Sequence, residues 1–241
     1  MTPPPRNRHD WSLFLDVDGT LLEIAETPGG VHVSDSLKEL LLRETRMRAG
    51  ALALVSGRSL ADLDVLFAPL RLIASGQHGL ERRDIHGRVS RANISTQSLQ
   101  QARILLKEVA ATHRGLLLED KGTALALHYR LAPELEAFAY AAIAKAAEHT
   151  PDFHVQPGKC VWELKPRAVS KGTAIRDFMA EAPFAGRIPV FAGDDFTDEE
   201  GFKIVNELGG ISILVGKPRD TLARFGLGGV SEVMEWMGNS E

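Results

Sequence analysis

Two carboxylates, Asp16 and Asp18, close the apolar run of LFLDVDGTLL at positions 13–22. On an extended chain residues i and i+2 point to one face, so both acids can address one site. Left to themselves, two converging carboxylates would raise one pKa sharply. A bound Mg²⁺ removes the conflict, because hard cations prefer oxygen ligands. A second acidic run, GDDFTDEE at 193–200, carries Asp194, Asp195, Asp198, Glu199 and Glu200 behind another apolar stretch. Asp194 or Asp195 could complete a cation site from a neighbouring strand end. Asp198 and Glu199 also read as acids favoured at a helix N-terminus by the macrodipole.

Acids with a cation suggest a phosphorylated ligand, and matching parts are present. Ser56-Gly57-Arg58 ends an apolar run and opens a helix, so a hydroxyl and N–H groups can hold a phosphate. Lys171-Gly172 begins another helix, KGTAIRDFMAEA. A lysine there could neutralise phosphoryl charge as it develops. A single lysine at a helix start is ordinarily solvated surface, but this one precedes the strand that ends in GDD.

The elements that must position these groups are short apolar runs, each followed by a helical pattern. They are SLFLDVDG (12–19), ALALVSG (51–57), LIASG (72–76), IPVFAGDD (188–195) and ISILVG (211–216). Continuous apolar runs alternating with helices predict a parallel sheet covered on both faces. Ligands in such sheets sit at the carboxyl ends of the strands, where Asp16, Ser56 and Asp194 all fall. The middle of the chain predicts helix (95–115), strand (116–120), strand (123–130), helix (132–150) and a hairpin over 153–166 turning near Pro157-Gly158. The expectation is an α/β core with a Rossmann-like parallel sheet, residues 1–92 and 167–241, carrying an inserted α+β unit at 93–166.

Composition limits the alternatives. The chain has 241 residues, 44% hydrophobic and 25% charged, with a formal net charge of −4. That balance suits a globular protein with a full core and argues against a protein that binds nucleic acid by neutralising phosphates. The lone Cys160 can form neither an internal disulfide nor a cysteine zinc site, and reads as a small packed side chain. The N-terminus lacks the apolar segment of a signal peptide, and no apolar stretch reaches the ~18 residues that span a membrane. A soluble, cytoplasmic protein is expected.

DVDGT, SGR, Lys171 and GDDFTDE, in that order, resemble the motifs of the haloacid dehalogenase superfamily of phosphatases. The resemblance implies that Asp16 is the nucleophile that takes up the phosphoryl group as an aspartyl-phosphate. Asp18 would be the acid/base that protonates the leaving alcohol and then activates water. Mg²⁺ would be held by Asp16, the backbone carbonyl of Asp18 and Asp194, with Asp195 and Asp198 supporting it. Ser56 would hydrogen-bond the phosphoryl oxygens beside Gly57 and Arg58, and Lys171 would balance the nucleophile's charge.

Within that superfamily the trehalose-phosphatase family is the most similar, over roughly positions 11–235. The stretches that carry the likeness are DVDGTLLEIAETP, LVSGR, GQHGLERRD, LALHYR, GKCVWELKP followed by KG, and FAGDDFTDE. The implied activity is hydrolysis of trehalose 6-phosphate, with the inserted unit as a cap that closes over the sugar on hinges near Asn93 and Arg167. The expected partner is the small-molecule substrate, with no nucleic acid and no membrane; a trehalose-phosphate synthase partner stays open. In GKCVWELKP, Lys159, Val161, Glu163 and Lys165 share one strand face, on which Glu163 can accept from sugar hydroxyls and the lysines can donate. In TALALHYR, Ala124, Ala126, His128 and Arg130 share a face in the same way. His78, between glycines after a strand, is a further sugar-contact candidate. Two rivals remain: a capped phosphatase acting on another sugar phosphate or a phosphoglycerate ester, and a phospho-accepting signalling domain. Such a signalling domain lacks both an acid at the position of Asp18 and an inserted cap.

Overall fold

The structure, a computed structural model, describes residues 1–24, 32–94, 97–158 and 160–239. Its contacts divide the chain into two units, Met1–Ala92 with Val169–Glu241, and Asn93–Ala168. The first unit opens with β1 (Trp11–Leu15), every residue of which is buried. α1 (Asp35–Met47) follows, its N-terminus capped by the Ser34 hydroxyl, which accepts the Leu37 N–H at 3.2 Å. Next come the fully buried β2 (Leu52–Val55) and α2 (Leu60–Leu66). A reciprocal pair of Ser59 and Asp62 caps α2, satisfying donors that the first turn leaves free. β3 (Ala74–Gly76), β4 (Glu81–Arg83) and β5 (Val89–Arg91) complete this half.

The second unit contains α3 (Leu99–Thr112), β6 (Leu117–Asp120), β7 (Leu125–His128), α4 (Glu136–Ala147), β8 (Phe153–Gly158) and β9 (Val161–Pro166). Its sheet has the order β6-β7-β9-β8, with every neighbour antiparallel. Leu125, Leu127, Phe153 and Leu164 pack against Leu106, Ala139 and Ile143 of the helices. By strand alternation Ala126, His128, Glu163 and Lys165 occupy the other face.

Two sequence expectations need correcting in this unit. Pro157 and Gly158 are not the hairpin turn: they pair with Trp162 and Val161 as the end of β8. β8 is an edge strand, where a proline with no N–H to donate is tolerated. Cys160, beyond the end of β8, has φ +59°, the left-handed backbone that tight hairpin turns commonly use. Arg130 does not extend the strand face of His128, because β7 ends at His128. Tyr129 then turns into the core, and Arg130 sits exposed in the following turn.

The chain returns to the first unit through α5 (Lys171–Met179), capped by a reciprocal Ser170–Thr173 pair. It continues through β10 (Ile188–Gly193), α6 (Glu199–Glu207), β11 (Ile211–Val215), β12 (Phe225–Leu227) and α7 (Val230–Gly238). The sheet has the order β12-β11-β10-β1-β2-β3-β4-β5, parallel from β12 to β3 with two antiparallel strands at one edge. Alternate residues feed two cores. Leu13, Leu15, Leu54, Val190 and Ile213 meet Leu37, Leu41 and Val233 on one side. Phe14, Val55, Phe191 and Leu214 meet Ile175, Phe178 and Phe202 on the other. The architecture is the expected α/β core with an inserted antiparallel α+β unit.

Candidate active site

β1 lies between β10 and β2, so the connections leave it to opposite sides. Such a switch opens a crevice at the carboxyl ends of parallel strands. Asp16 directly follows β1, Ser56 follows β2, His78 lies just beyond β3, and Asp194 follows β10. Hydrogen bonds between neighbouring strand ends tie these positions together. Asp16 N–H donates to the Ala192 carbonyl at 3.0 Å and Ser56 N–H to the Ser75 carbonyl at 2.9 Å.

At the centre is a buried chain of charges. Lys171 Nζ, at the first residue of α5, donates to Asp16 Oδ1 at 2.7 Å and to Asp198 Oδ1 at 2.7 Å. Asp198 Oδ2 accepts the N–H groups of Asp194 (3.1 Å) and Asp195 (3.0 Å). Thr20 Oγ1 donates to Asp16 Oδ2 at 3.4 Å. One carboxylate oxygen each from Asp16, Asp194 and Asp198 lies within 4.8 Å of the others. Burial, aided by repulsion from Asp194, pushes the Asp16 carboxyl up to about 6 against the pull of Lys171. Burial and repulsion from Asp198 push Asp194 up to about 6 as well. Burial, opposed by Lys171 and aided by Asp16, pushes Asp198 up to about 7. Burial by itself would lower Lys171, but the two carboxylates outweigh it and hold the ammonium above its ordinary range.

This donor set fits a divalent cation. Asp198 has spent both oxygens on Lys171 and on backbone N–H groups. Asp194 Oδ1, in contrast, is buried with no hydrogen-bond partner among the described residues. A buried, unsatisfied carboxylate oxygen beside a second carboxylate is costly without a positive charge between them. Gly19 makes the approach possible. At φ +86° it has no side chain, and a Cβ there would lie 2.1 Å from Asp194 Oδ2. Asp195 is exposed, and its Oδ1 accepts the Phe196 N–H, so it caps the turn into α6.

Asp18 and Arg58 are joined, which their separate sequence readings did not anticipate. Arg58 Nε donates to Asp18 Oδ2 at 2.7 Å and Nη2 to Oδ1 at 2.6 Å. The buried Ser56 hydroxyl accepts the Arg58 N–H at 3.1 Å and can donate its own O–H outward. His78 has φ +56°, and its N–H donates to the Ser56 carbonyl at 2.9 Å. Its ring lies against Gly57, where a Cβ would meet imidazole atoms at 2.8 Å. Asp16, Asp18, Ser56, Gly57, Arg58, His78, Lys171, Asp194, Asp195 and Asp198 therefore all fall in or beside one cluster of the first unit.

Three of the second unit's sugar-contact candidates, His128, Glu163 and Lys165, share one face of its sheet. Glu163 Oε1 accepts from Lys121 Nζ at 2.7 Å and Oε2 from Lys165 Nζ at 2.7 Å. Burial would raise the Glu163 carboxyl, but Lys165 and Lys121 outweigh it and pull it down to about 2. His128 Nε2 lies 2.9 Å from Glu119 Oε2. Lys159 lies outside the described residues. Sequence reasoning gave Lys121 and Glu119 no role. The signal was available, since β6 and β7 pair so that Glu119 faces Ala126, which itself faces Glu163.

Comparisons with known proteins identify the family. The family model for trehalose-phosphatase matches residues 14–227, which span both units. The chain is 44% identical over 237 residues to the trehalose-6-phosphate phosphatase of Escherichia coli K12, covering 98% of this chain and 89% of that protein. Among solved structures, the C-terminal domain of the C. albicans trehalose-6-phosphate phosphatase superposes with a TM-score of 0.77 at 24% identity, covering 99% of this chain and 97% of that one. A haloacid dehalogenase-like hydrolase from B. subtilis superposes with a TM-score of 0.68 at 16% identity, over 94% of this chain and 99% of that one. At these identities the structural likeness is one of fold. With a family model covering most of its length and a relative at 44% identity, the chain belongs to the trehalose-phosphatase family, phosphoric monoester hydrolases built on the haloacid dehalogenase fold.

Proposed function

We propose that the chain hydrolyses trehalose 6-phosphate to trehalose and inorganic phosphate, with Mg²⁺ as cofactor and an aspartyl-phosphate on Asp16. The observation that carries the chemistry is Asp16 itself. It is buried at the end of β1, with Oδ1 held by Lys171 at 2.7 Å and Oδ2 in a long contact with the Thr20 hydroxyl at 3.4 Å. A carboxylate fixed at one oxygen presents the other as a nucleophile already oriented for attack. The family match and the 44% identity to an enzyme named for trehalose 6-phosphate support the substrate.

In the first half-reaction Asp16 Oδ2 forms a bond to phosphorus as the bond to the sugar oxygen breaks, and Asp18 gives that oxygen its proton. In the second, Asp18 takes a proton from water, whose oxygen attacks phosphorus and releases Asp16. Phosphate leaves and both aspartates are restored. The Ser56 hydroxyl and the Gly57 N–H would hold phosphoryl oxygens, and Lys171, bonded to Asp16, would offset charge there. Asp16, Asp194 and the Asp18 carbonyl would hold Mg²⁺, which when bound supplies a positive charge for the phosphoryl oxygens. In the second unit, Glu163 with Lys121 and Lys165 supplies acceptors and donors suited to sugar hydroxyls. We assign Asn93–Ala168 as the substrate-selecting unit on that basis.

Phosphate release from trehalose 6-phosphate, with and without Mg²⁺, tests the reading, alongside glucose 6-phosphate and sucrose 6-phosphate. Trehalose 6-phosphate should be the best substrate, and chelation should stop turnover. Asp16→Asn should keep the far-UV circular dichroism of the wild type and lose turnover. Faster hydrolysis of either other sugar phosphate would overturn the substrate, and near-normal activity in Asp16→Asn would overturn the mechanism.

A further inference from the structure

Arg219 stands between β11 and β12, outside every motif considered so far. Its guanidinium makes an ion pair with Glu199 at the first residue of α6. Nη2 donates to the Asp195 carbonyl at 2.9 Å and reaches the Asp194 carbonyl at 3.5 Å. The same group lies over the Phe196 ring, with Cζ 4.6 Å from its centroid. Glu199 is itself secured: it accepts from Thr221 Oγ1 at 2.8 Å and from the Leu222 N–H at 2.8 Å. So Glu199 is an anchor for the loop bearing Arg219, beyond any interaction with the helix dipole.

The segment after β10 is thus gripped from two directions. Asp198 takes the N–H groups of Asp194 and Asp195, and Arg219 takes their carbonyls. Because Asp194 Oδ1 is buried without a hydrogen-bond partner among the described residues, the aim of that carboxylate depends on how its backbone is held. Asp198 is fixed in turn by Lys171. Arg219 is the matching support on the carbonyl side, and its planar fork reaches a carboxylate, three carbonyls (Asp194, Asp195 and its neighbour Asp220) and a ring at once.

We propose that Arg219 is a positioning residue that aims Asp194 at the bound cation. The proposal rests on the reading of Asp194 as a cation ligand. Groups that orient a metal ligand commonly alter metal affinity when removed, so Arg219→Ala should weaken Mg²⁺ binding about tenfold. Its melting temperature in chelator should stay close to that of the wild type.

The test titrates Mg²⁺ into the full-length protein by calorimetry, without substrate, for wild type, Arg219→Ala, Arg219→Met, Arg219→Lys, Asp194→Asn and Arg176→Ala. Arg219→Met keeps the apolar stem over Phe196 and loses every donor, and it decides the matter if Arg219→Ala does not fold. Arg219→Lys should recover part of the affinity through its charge beside Glu199. Arg176 makes an ion pair with Glu207 at 2.9 Å elsewhere on the first unit, and Arg176→Ala should bind Mg²⁺ as the wild type does. If Asp194→Asn loses binding while the Arg219 variants keep it, the positioning role is overturned and the ligand reading stands. If Asp194→Asn binds as the wild type does, the ligand reading falls and takes the proposal with it.

Discussion

The Arg58 guanidinium holds both oxygens of Asp18, at 2.7 and 2.6 Å, in a two-point contact between the ends of β2 and β1. A planar fork of this kind sets the orientation of a carboxylate as well as its distance. Ser56, whose hydroxyl accepts the Arg58 N–H, belongs to the same turn. The proposed acid/base and the proposed phosphate loop are therefore mechanically one piece.

If Arg58 serves Asp18, its loss should matter most where proton donation matters. Arg58→Ala should lower kcat on a sugar phosphate about 10–100-fold, part of the roughly 10²–10⁴-fold that general acid–base catalysis contributes. On para-nitrophenyl phosphate, whose leaving group departs without a proton, the loss should be much smaller. An equal loss on both substrates would instead assign Arg58 to holding the phosphate, the role its place after Ser56-Gly57 suggests in the sequence.

Lys171 neutralises two buried carboxylates, Asp16 and Asp198, from one nitrogen. Lys171→Met leaves both without their cation and should destabilise the protein by about 3–5 kcal/mol. The pH dependence has a definite sign. Carboxyls raised to about 6 and about 7 in the folded state contribute stability that is fully present below the unfolded value and is lost as pH rises through the folded one. Without Lys171 these folded values rise further. The melting temperature of the variant should therefore fall relative to wild type between pH 5 and pH 8, measured in chelator.

The proposed catalytic cluster was legible in part because Asp16, Ser56 and Asp194 each directly follow a buried, largely apolar strand, where an acid or serine has no structural reason to be. Asp16 after β1 and Asp194 after β10 are the plainest cases. The two antiparallel strands β4 and β5 were not legible, because ERR and VSR show no apolar pattern. Arg83 is buried only because it donates to the Leu72 carbonyl and pairs with Asp64, partners separated from it in sequence. Glu81 is likewise buried by accepting the Leu60 N–H. Pairings such as Arg58 with Asp18, Lys121 with Glu163 and Arg219 with Glu199 join residues 40, 42 and 20 positions apart. Spacing rules for one helix or one strand do not reach that far.

Gly19 offers a test of the approach between the two strand ends. Gly19→Ala brings a Cβ to 2.1 Å from Asp194 Oδ2, at a φ of +86° that alone costs about 1–3 kcal/mol for a residue with a side chain. Gly87 has φ +77° with nothing within 4 Å of its would-be Cβ, so Gly87→Ala carries the backbone penalty without the collision. Both variants should melt lower than wild type. Only Gly19→Ala should lose Mg²⁺ affinity and turnover. Equal Mg²⁺ affinity in the two would show that Asp194 need not approach Gly19 for the site to form.

Glu163 is tied to two lysines that lie on different strands or turns, Lys121 after β6 and Lys165 within β9. Its carboxyl is held down to about 2 although it is largely buried. A carboxylate with a lowered folded pKa contributes stability above its unfolded value, near 4.5, and loses it as pH falls through the folded value. Glu163→Gln removes the charge and should cost about 1.5–3 kcal/mol at neutral pH, the range for hydrogen bonds to charged groups. The gap in melting temperature from wild type should be constant above pH 5 and close as pH falls toward 2. Kinetics separate this structural role from a sugar contact. If Glu163 also accepts from substrate hydroxyls, Glu163→Gln should raise KM for trehalose 6-phosphate with a smaller change in kcat, the pattern of lost uniform binding. A lowered melting temperature with an unchanged KM would confine Glu163 to holding the two lysines in place.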